Sequence, residues 1–338
     1  MIIVILAMPF IVSALLTYYL CSPTFRFGIL DHPNERSLHR IPVPRSGGLA
    51  ILMAVLLTML TLGFSRLQDV YMIWIGVGMI TIAIISFLDD RATVHPFLRL
   101  IIHVIVGGAL VYAGLIIHSL ELPFLSWDWS EPIAVIMTML FIVWMINLYN
   151  FMDGMDGFAA GMATSGFGFV ALLGWSAGDV WFGQVNLIIA AASLGFLIFN
   201  YPPARIFMGD VGSSTLGFMA AAISLWGVRT GLYPFWAAVL IFSPFIADAT
   251  VTLIRRILMG EKFWKPHKTH YYQRLVQAGW GHHKTLVLEY GIMLACGISA
   301  LVSVDASATV QVVVLSVWVL FYIIFFSWIS RISSKQRS

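Results

Sequence analysis

Eleven apolar runs, most close to twenty residues long and separated by short polar connections, leave this chain one environment in which to fold. They cover roughly residues 1–20, 47–64, 70–88, 97–117, 131–148, 158–176, 183–200, 214–229, 233–254, 285–303 and 308–330. A soluble domain carries about 25% charged residues, whereas only 10% of these 338 residues are charged and 60% are hydrophobic. A soluble core cannot absorb that surplus. The expectation is one all-α domain over 1–338, a polytopic integral membrane protein of about 11 transmembrane helices. The first run has no basic flank before it, so it reads as a span and not as a cleaved leader. Cys21 and Cys296 lie at the end of one run and inside another, without the spacing of a metal or disulfide motif.

Charge sets the orientation. The connections 21–46, 89–99, 201–213 and 255–284 and the tail from 331 hold 17 of the 19 Lys and Arg, leaving Arg66 and Arg229 opposite. The basic side is read as cytoplasmic. Eleven spans then put the amino terminus outside and the carboxyl terminus in the cytoplasm. The basic residues sit in short loops beside apolar runs, so the expected partner is the lipid bilayer, and no nucleic acid is expected.

The polar motifs fall on that same side, in the segments 21–46, 89–99, 149–157, 201–213 and 255–284. Asn147–Gly157 reads N-L-Y-N-F-M-D-G-M-D-G, placing Asp153 and Asp156 three residues apart with a glycine after each. Carboxylates where an apolar run meets water are tolerated at the interface or in a polar cavity, and glycines allow tight turns and close approach to a ligand. In the first loop, Asp31–Gly48, Pro33, Pro42 and Pro44 hold the chain extended and aim Arg36, Arg40 and Arg45 at anions. Asp89 and Asp90 are adjacent acids closing the third run, and such a pair calls for a cation, a metal or a proton-transfer role. Arg99 stands at headgroup depth, suited to a phosphate, while His103 farther along reads as a packed helix residue. Tyr201–Ser214 carries Asp210 in a glycine-flanked turn before a helix expected near Ser213, a setting for phosphate or a metal–phosphate pair. Phe207 is close enough to stack on a flat ring. Asp248 lies inside the ninth run, two helical turns before Arg255 and Arg256, where a basic group is its expected partner. Arg255, Arg256, His267 and His270 belong to a basic last loop, whose H-x-x-H could bind a metal but is read, beside phosphate chemistry, as an anion contact. The external loops have acids (Glu121, Asp128, Glu131) but no glycine-flanked set. Hard carboxylates suit Mg²⁺ or Mn²⁺.

Taken together, D-H-P-x-x-R-x-x-H-x-x-P-x-P-R-x-G-G, D-D-R, N-F-M-D-G-M-D-G and F-M-G-D-V-G-S, in that order over about residues 25–290, resemble the polyprenyl-phosphate N-acetylhexosamine-1-phosphate transferases, the family containing MraY and WecA. The resemblance implies transfer of a sugar-1-phosphate from a UDP-N-acetylhexosamine to polyprenyl phosphate, with release of UMP, at the cytoplasmic face of a bacterial inner membrane. It is compatible with a homodimer. Residue by residue it implies Asp210 as the principal Mg²⁺ ligand (Mn²⁺ as an alternative) and Asn150 as the second. Asp153 and Asp156 match the nucleotide-site acids, and Asp89 and Asp90 the essential acidic pair. Phe207 matches a uracil-stacking position, Arg99 a lipid-phosphate contact and His270 the start of a final histidine motif. Arg45, Arg255, Arg256 and His267 join the substrate-binding set. The chain departs from H-x-H-H, reading His270-Tyr271-Tyr272-Gln273. That departure resembles the branch that begins O-antigen synthesis with UDP-N-acetylfucosamine or a related 6-deoxy sugar.

An ion-coupled transporter is the main alternative, because intramembrane acids also mark ion paths. Transporters place such residues near the midplane, often within inverted repeats. Here the acids sit at helix ends and no repeat is visible. The orientation is tested by labelling. Cysteines introduced at Ser37, Thr269 and Ser334 should react only from the cytoplasm, and cysteines at Ser126 and Ser307 only from outside; exterior labelling at position 37 would reverse the assignment.

Overall fold

The computed structural model describes residues 2–22, 30–31, 42–62, 70–92, 94–262 and 267–335. Arg36 and Arg40 of the first basic loop lie outside the described residues. The described residues are all-α apart from two small antiparallel pairs. In order it forms α1 (Ile2–Leu20), β1 (Leu30–Asp31), β2 (Val43–Pro44), α2 (Gly47–Leu62), α3 (Val70–Ala92) and α4 (Pro96–Tyr112). A hairpin of β3 (Ser119–Leu122) and β4 (Leu125–Asp128) follows, then α5 (Glu131–Met152), α6 (Phe158–Ser176), α7 (Val180–Asn200) and α8 (Gly209–Arg229). The chain ends in α9 (Phe235–Ile241), α10 (Ser243–Leu258), α11 (Tyr271–Leu275), a π-helical turn (Val276–Trp280), α12 (Gly281–Ser303) and α13 (Ala308–Lys335).

Among the described residues, eight helices are long and apolar enough to cross a membrane, and α9 with α10 would make a ninth as a bent pair. The helices Gly47–Thr61 and Pro96–Tyr112 are apolar but shorter. The ninth apolar run is therefore not the continuous span its composition suggested. It breaks by 82° at Phe242. Pro244 stands in the first turn of α10, where its missing N–H costs nothing and its fixed φ suits a helix start. The fourth run also ends early, at Tyr112, and leaves for the β3–β4 hairpin.

α8 is the centre of the packing. Every residue from Val211 to Gly227 is buried, against α5, α3 and α2. Lipid offers no hydrophobic gain for bringing helices together, so close backbone approach through small residues carries the association. Gly217 lies against the Met145 carbonyl of α5, and Gly48 of α2 lies against the backbone of Gly212. α13 sits at the other extreme, with apolar side chains such as Val313, Val319 and Ile323 facing outward as a lipid-facing helix must. The segment before α2 is zipped to the start of α8 by backbone bonds. Phe207 N donates to Pro44 O (2.8 Å), Gly47 N to Phe207 O (3.0 Å) and Gly48 N to Met208 O (2.8 Å). This lacing holds Arg45 beside Asp210.

Candidate active site

The site is built at the amino terminus of α8. That helix starts at Gly209, four residues earlier than its sequence suggested, so Asp210 lies in its first turn and not in a preceding loop. Gly209 has φ of +76°, and a Cβ there would meet Asp90 Oδ2 at 2.9 Å and the Arg45 carbonyl at 3.0 Å. Only glycine fits both demands. Asp90, at the end of α3, turns its buried carboxylate onto the exposed amides of α8. Oδ1 accepts from Asp210 N (3.3 Å) and Oδ2 from Val211 N (3.2 Å). A carboxylate at a helix amino terminus meets both free N–H groups and the positive end of the helix dipole.

Two arginines tie the acids together. Arg45 donates to Asp210 Oδ1 and lies 3.2 Å from Asp90 Oδ1. Arg99, near the start of α4, donates to Asp89 Oδ2 and to Asp210 Oδ2 (3.1 Å). Asp89 also accepts from Val94 N (2.7 Å), which fixes the α3–α4 turn. The structure thus brings Asp89, Asp90, Asp210, Arg45 and Arg99 into one cluster from four separate stretches of chain. Asn150 joins it. It lies on the last turn of α5, which runs to Met152, and its Nδ2 donates to Ser213 Oγ (3.2 Å).

Asp153 closes α5 and faces this cluster. It retains some solvent contact but is enclosed by protein, and that desolvation pushes its carboxyl well above the ordinary range. Arg45 opposes the shift, while Asp210, Asp90 and Asp156 add to it. Asp156 has a different neighbourhood. Its Oδ2 accepts from Ala204 N (3.1 Å) and pairs with His282 Nδ1 (3.3 Å), linking the 153–157 turn to the 201–207 connection and to α12. Phe207 is laced to Pro44 and Gly47 through its backbone and keeps a half-buried ring.

The last loop meets the same turn from the opposite side. Asp248 does not meet Arg255 or Arg256, as its spacing suggested. Its Oδ1 accepts from Tyr271 N (2.9 Å), its Oδ2 from Tyr272 N (2.9 Å), and His270 Nδ1 lies 3.3 Å from Oδ1. The His270 ring stacks on Phe151 (6.3 Å) and on His267 (4.8 Å). Burial, with His270 and Arg256 nearby, pushes the His267 imidazole down to about 4. At neutral pH it is therefore uncharged, and its Nδ1 accepts from Thr269 N (3.3 Å). Arg256 is buried and donates to the Lys262 carbonyl (3.0 Å) and to Glu261 (2.7 Å); Arg255 reaches the Thr269 carbonyl (3.4 Å). The contacts of these three residues are with their own loop.

Some residues that shape the site carried no motif. Asn200, the last residue of α7, accepts from Gly157 N and donates to Ile206 O, both at 2.9 Å, so one amide pins two loops. Its signal was an asparagine closing an apolar run just before Y-P-P. Tyr290 donates to Gly157 O (2.8 Å) and Tyr272 to Phe151 O (3.2 Å), bracketing the acidic turn. Buried tyrosines in apolar runs offer no such signal.

Acids paired with arginines at one end of a helical bundle, around a helix amino terminus, form a cluster whose chemistry is that of phosphate recognition. The comparisons agree with that class. Residues 71–228 match the description of glycosyl transferase family 4. A probable undecaprenyl-phosphate N-acetylglucosaminyl 1-phosphate transferase of Bacillus subtilis is 34% identical, over 94% of this chain and 88% of its own. A decaprenyl-phosphate N-acetylglucosaminephosphotransferase of Mycolicibacterium smegmatis is 30% identical, over 91% and 84%. An undecaprenyl-phosphate alpha-N-acetylglucosaminyl 1-phosphate transferase of Escherichia coli K12 is 27% identical, over 94% and 87%. The chain belongs to glycosyl transferase family 4, among the polyprenyl-phosphate hexosamine-1-phosphate transferases.

The bracket around the acidic turn is testable. A Cβ at Gly154 would land on the Tyr272 hydroxyl, while the ring carbon behind that hydroxyl lies at an ordinary 3.5 Å. Gly154→Ala should therefore cost about 1–3 kcal/mol through overpacking, read by thermal unfolding in detergent. Tyr272→Phe alone should cost about 0.5–1.5 kcal/mol for its lost hydrogen bond. Combined with Gly154→Ala it should recover part of that variant's loss. A double variant no more stable than Gly154→Ala would refute the contact.

Proposed function

We propose that this protein transfers N-acetylhexosamine-1-phosphate from a UDP-sugar to polyprenyl phosphate, releasing UMP, at the cytoplasmic face of a bacterial inner membrane. The observation that carries the reading is the convergence of Asp89, Asp90, Asp153 and Asp210 with Arg45 and Arg99 at one end of the bundle, in a chain whose named relatives act on polyprenyl phosphates. An oxygen of the lipid phosphate attacks the β-phosphorus of the UDP-sugar. A new P–O bond forms to the lipid, the bond from the β-phosphorus to the bridging oxygen breaks, and UMP departs with that oxygen. A phosphate monoester has a second pKa near 6 and is mostly dianionic at neutral pH. Asp89, paired with Arg99, is therefore assigned to positioning in preference to proton removal. Such a reaction is chiefly a matter of alignment and charge stabilisation.

Mg²⁺, with Mn²⁺ as an alternative, is the metal this donor set fits. Asp210 and the amide oxygen of Asn150 would hold it, with Asp90 adding negative charge nearby and the charge of the ion favouring ionisation of the otherwise desolvated Asp153. Among the described residues no group of three or more His, Cys, Asp or Glu could hold a metal ion. Mg²⁺ binds through one or two carboxylates plus substrate phosphates and water. When bound, the ion would neutralise the diphosphate and stabilise the departing UMP. Arg45 and Arg99 both contact Asp210 and would turn toward the phosphates of the two substrates.

For the sugar, the relatives named for N-acetylglucosamine favour UDP-N-acetylglucosamine. The Tyr271-Tyr272-Gln273 departure favours a 6-deoxy N-acetylhexosamine and a role in starting O-antigen or a related envelope polysaccharide. Proteoliposomes supplied with each UDP-sugar and undecaprenyl phosphate decide both questions. UMP should appear only with lipid phosphate and a divalent ion present, and fastest with the native sugar. Asp210→Asn should abolish release while inserting and purifying normally. Wild-type turnover by that variant would remove Asp210 from the site, and solute uptake without UMP would favour transport.

A further inference from the structure

The break at Phe242 turns α10 into an amphipathic helix with an unusual inward face. Val251, Ile254, Ile257 and Leu258 are exposed, as they are toward lipid, while Asp248, Thr252 and Arg256, spaced four apart, form one buried stripe. Residues at that spacing share a helix face. All three polar side chains are occupied with each other or with the segment 261–272. Thr252 Oγ1 donates to Asp248 Oδ1 (3.1 Å), and Arg256 holds Glu261 and the Lys262 carbonyl. Asp248 takes the first two amides of α11 together with His270. At five residues α11 is too short to stand alone, so its place is set by its neighbours: the grip on its start and the stack of Tyr271 on Phe326 of α13 (4.2 Å).

That place matters because α11 touches the acidic turn. His270 stacks on Phe151, and the Tyr272 hydroxyl donates to Phe151 O, two residues before Asp153. We infer that Asp248 is a positioning residue of the transferase: it seats His270 and α11 against the Phe151–Asp156 turn without touching substrate. The inference rests on the proposed function for the meaning of the site, and on the structure alone for the seating. The geometry also says why an aspartate is required. Tyr271 N addresses one carboxylate oxygen and Tyr272 N the other, so an asparagine, whichever way its amide turned, would set an NH₂ group against a backbone N–H. Glutamate keeps both acceptors and the charge.

Three variants and two readouts test this on the full-length protein. Asp248→Asn should lower kcat ~10- to 150-fold, the range for losing a charge-assisted hydrogen bond, with the KM for polyprenyl phosphate unchanged. Asp248→Glu should restore most of the rate. His270→Gln should lower kcat as well, and the double variant Asp248→Asn/His270→Gln should be no slower than the slower single, because both changes disable one unit. Hydrogen exchange should quicken at the amides of Tyr271 and Tyr272 in Asp248→Asn and stay unchanged in α8. Unchanged exchange at those amides would overturn the seating. Losses that multiply in the double variant, or wild-type turnover in Asp248→Asn, would overturn the positioning role. If the wild-type protein releases no UMP from any UDP-sugar, the transferase reading falls, and the exchange result still decides the seating.

Discussion

The grip of Asp90 on the first amides of α8 is the contact on which the site depends. A carboxylate at the edge of a bilayer is costly unless charge or hydrogen bonds compensate it. Here compensation comes from two directions at once, backbone N–H groups of α8 and the guanidinium of Arg45. Satisfying Asp90 therefore fixes three pieces of chain relative to one another: the end of α3, the start of α8 and the segment before α2. Arg99 adds α4 by joining Asp89 to Asp210. Asp153 is drawn into the same field, where burial and the neighbouring carboxylates hold its carboxyl well above the ordinary range.

The rest of the bundle keeps that contact rigid. α8 is buried on all sides, and a helix so placed can lie close to α2 and α5 only if its facing residues are small. Gly212 and Gly217 meet that need, and the lacing of 44–48 to 207–208 continues the same contact to the membrane surface. The outward-facing side chains of α13, such as Val313 and Val319, touch none of the acids and can vary in apolar detail without moving them. The residues around α8 have no such freedom.

What could be read from the chain follows from where each signal lies. Apolar runs mark helices because burial in lipid demands about twenty such residues; each of the eleven runs carries a described helix, while eight of the described helices, or nine with the bent pair, are long and apolar enough to span. The acids and arginines stood out because charge is rare in this composition, and the structure gathers Asp89, Asp90, Asp153 and Asp210 around Arg45 and Arg99. Other features were hidden for physical reasons. The bend at Phe242 is invisible in an unbroken apolar run, where a proline marks a helix start as readily as a kink. The partners of Asp248 are backbone amides 23 and 24 residues ahead, and an amide has no letter in a sequence. The buried setting of Arg256 and the uncharged state of His267 are likewise set by packing, which the letters of a basic loop do not show.

The substitution at 270–273 shows how those hidden contacts bear on chemistry. In the pattern this family resembles, a histidine occupies the position of Tyr272. In this chain the Tyr272 ring is fully buried, packed on Phe158 (4.9 Å), and its hydroxyl is occupied by the Phe151 carbonyl. A side chain so enclosed serves as a wedge between α11 and the acidic turn, and it offers no group to a substrate. Gln273 is similarly engaged, its Oε1 accepting from His270 N (3.3 Å) at the start of α11. The motif is left with one imidazole, His270, stacked between Phe151 and His267 and held by Asp248. The polar groups of Tyr272 and Gln273 are thus engaged in packing α11 against the acidic turn.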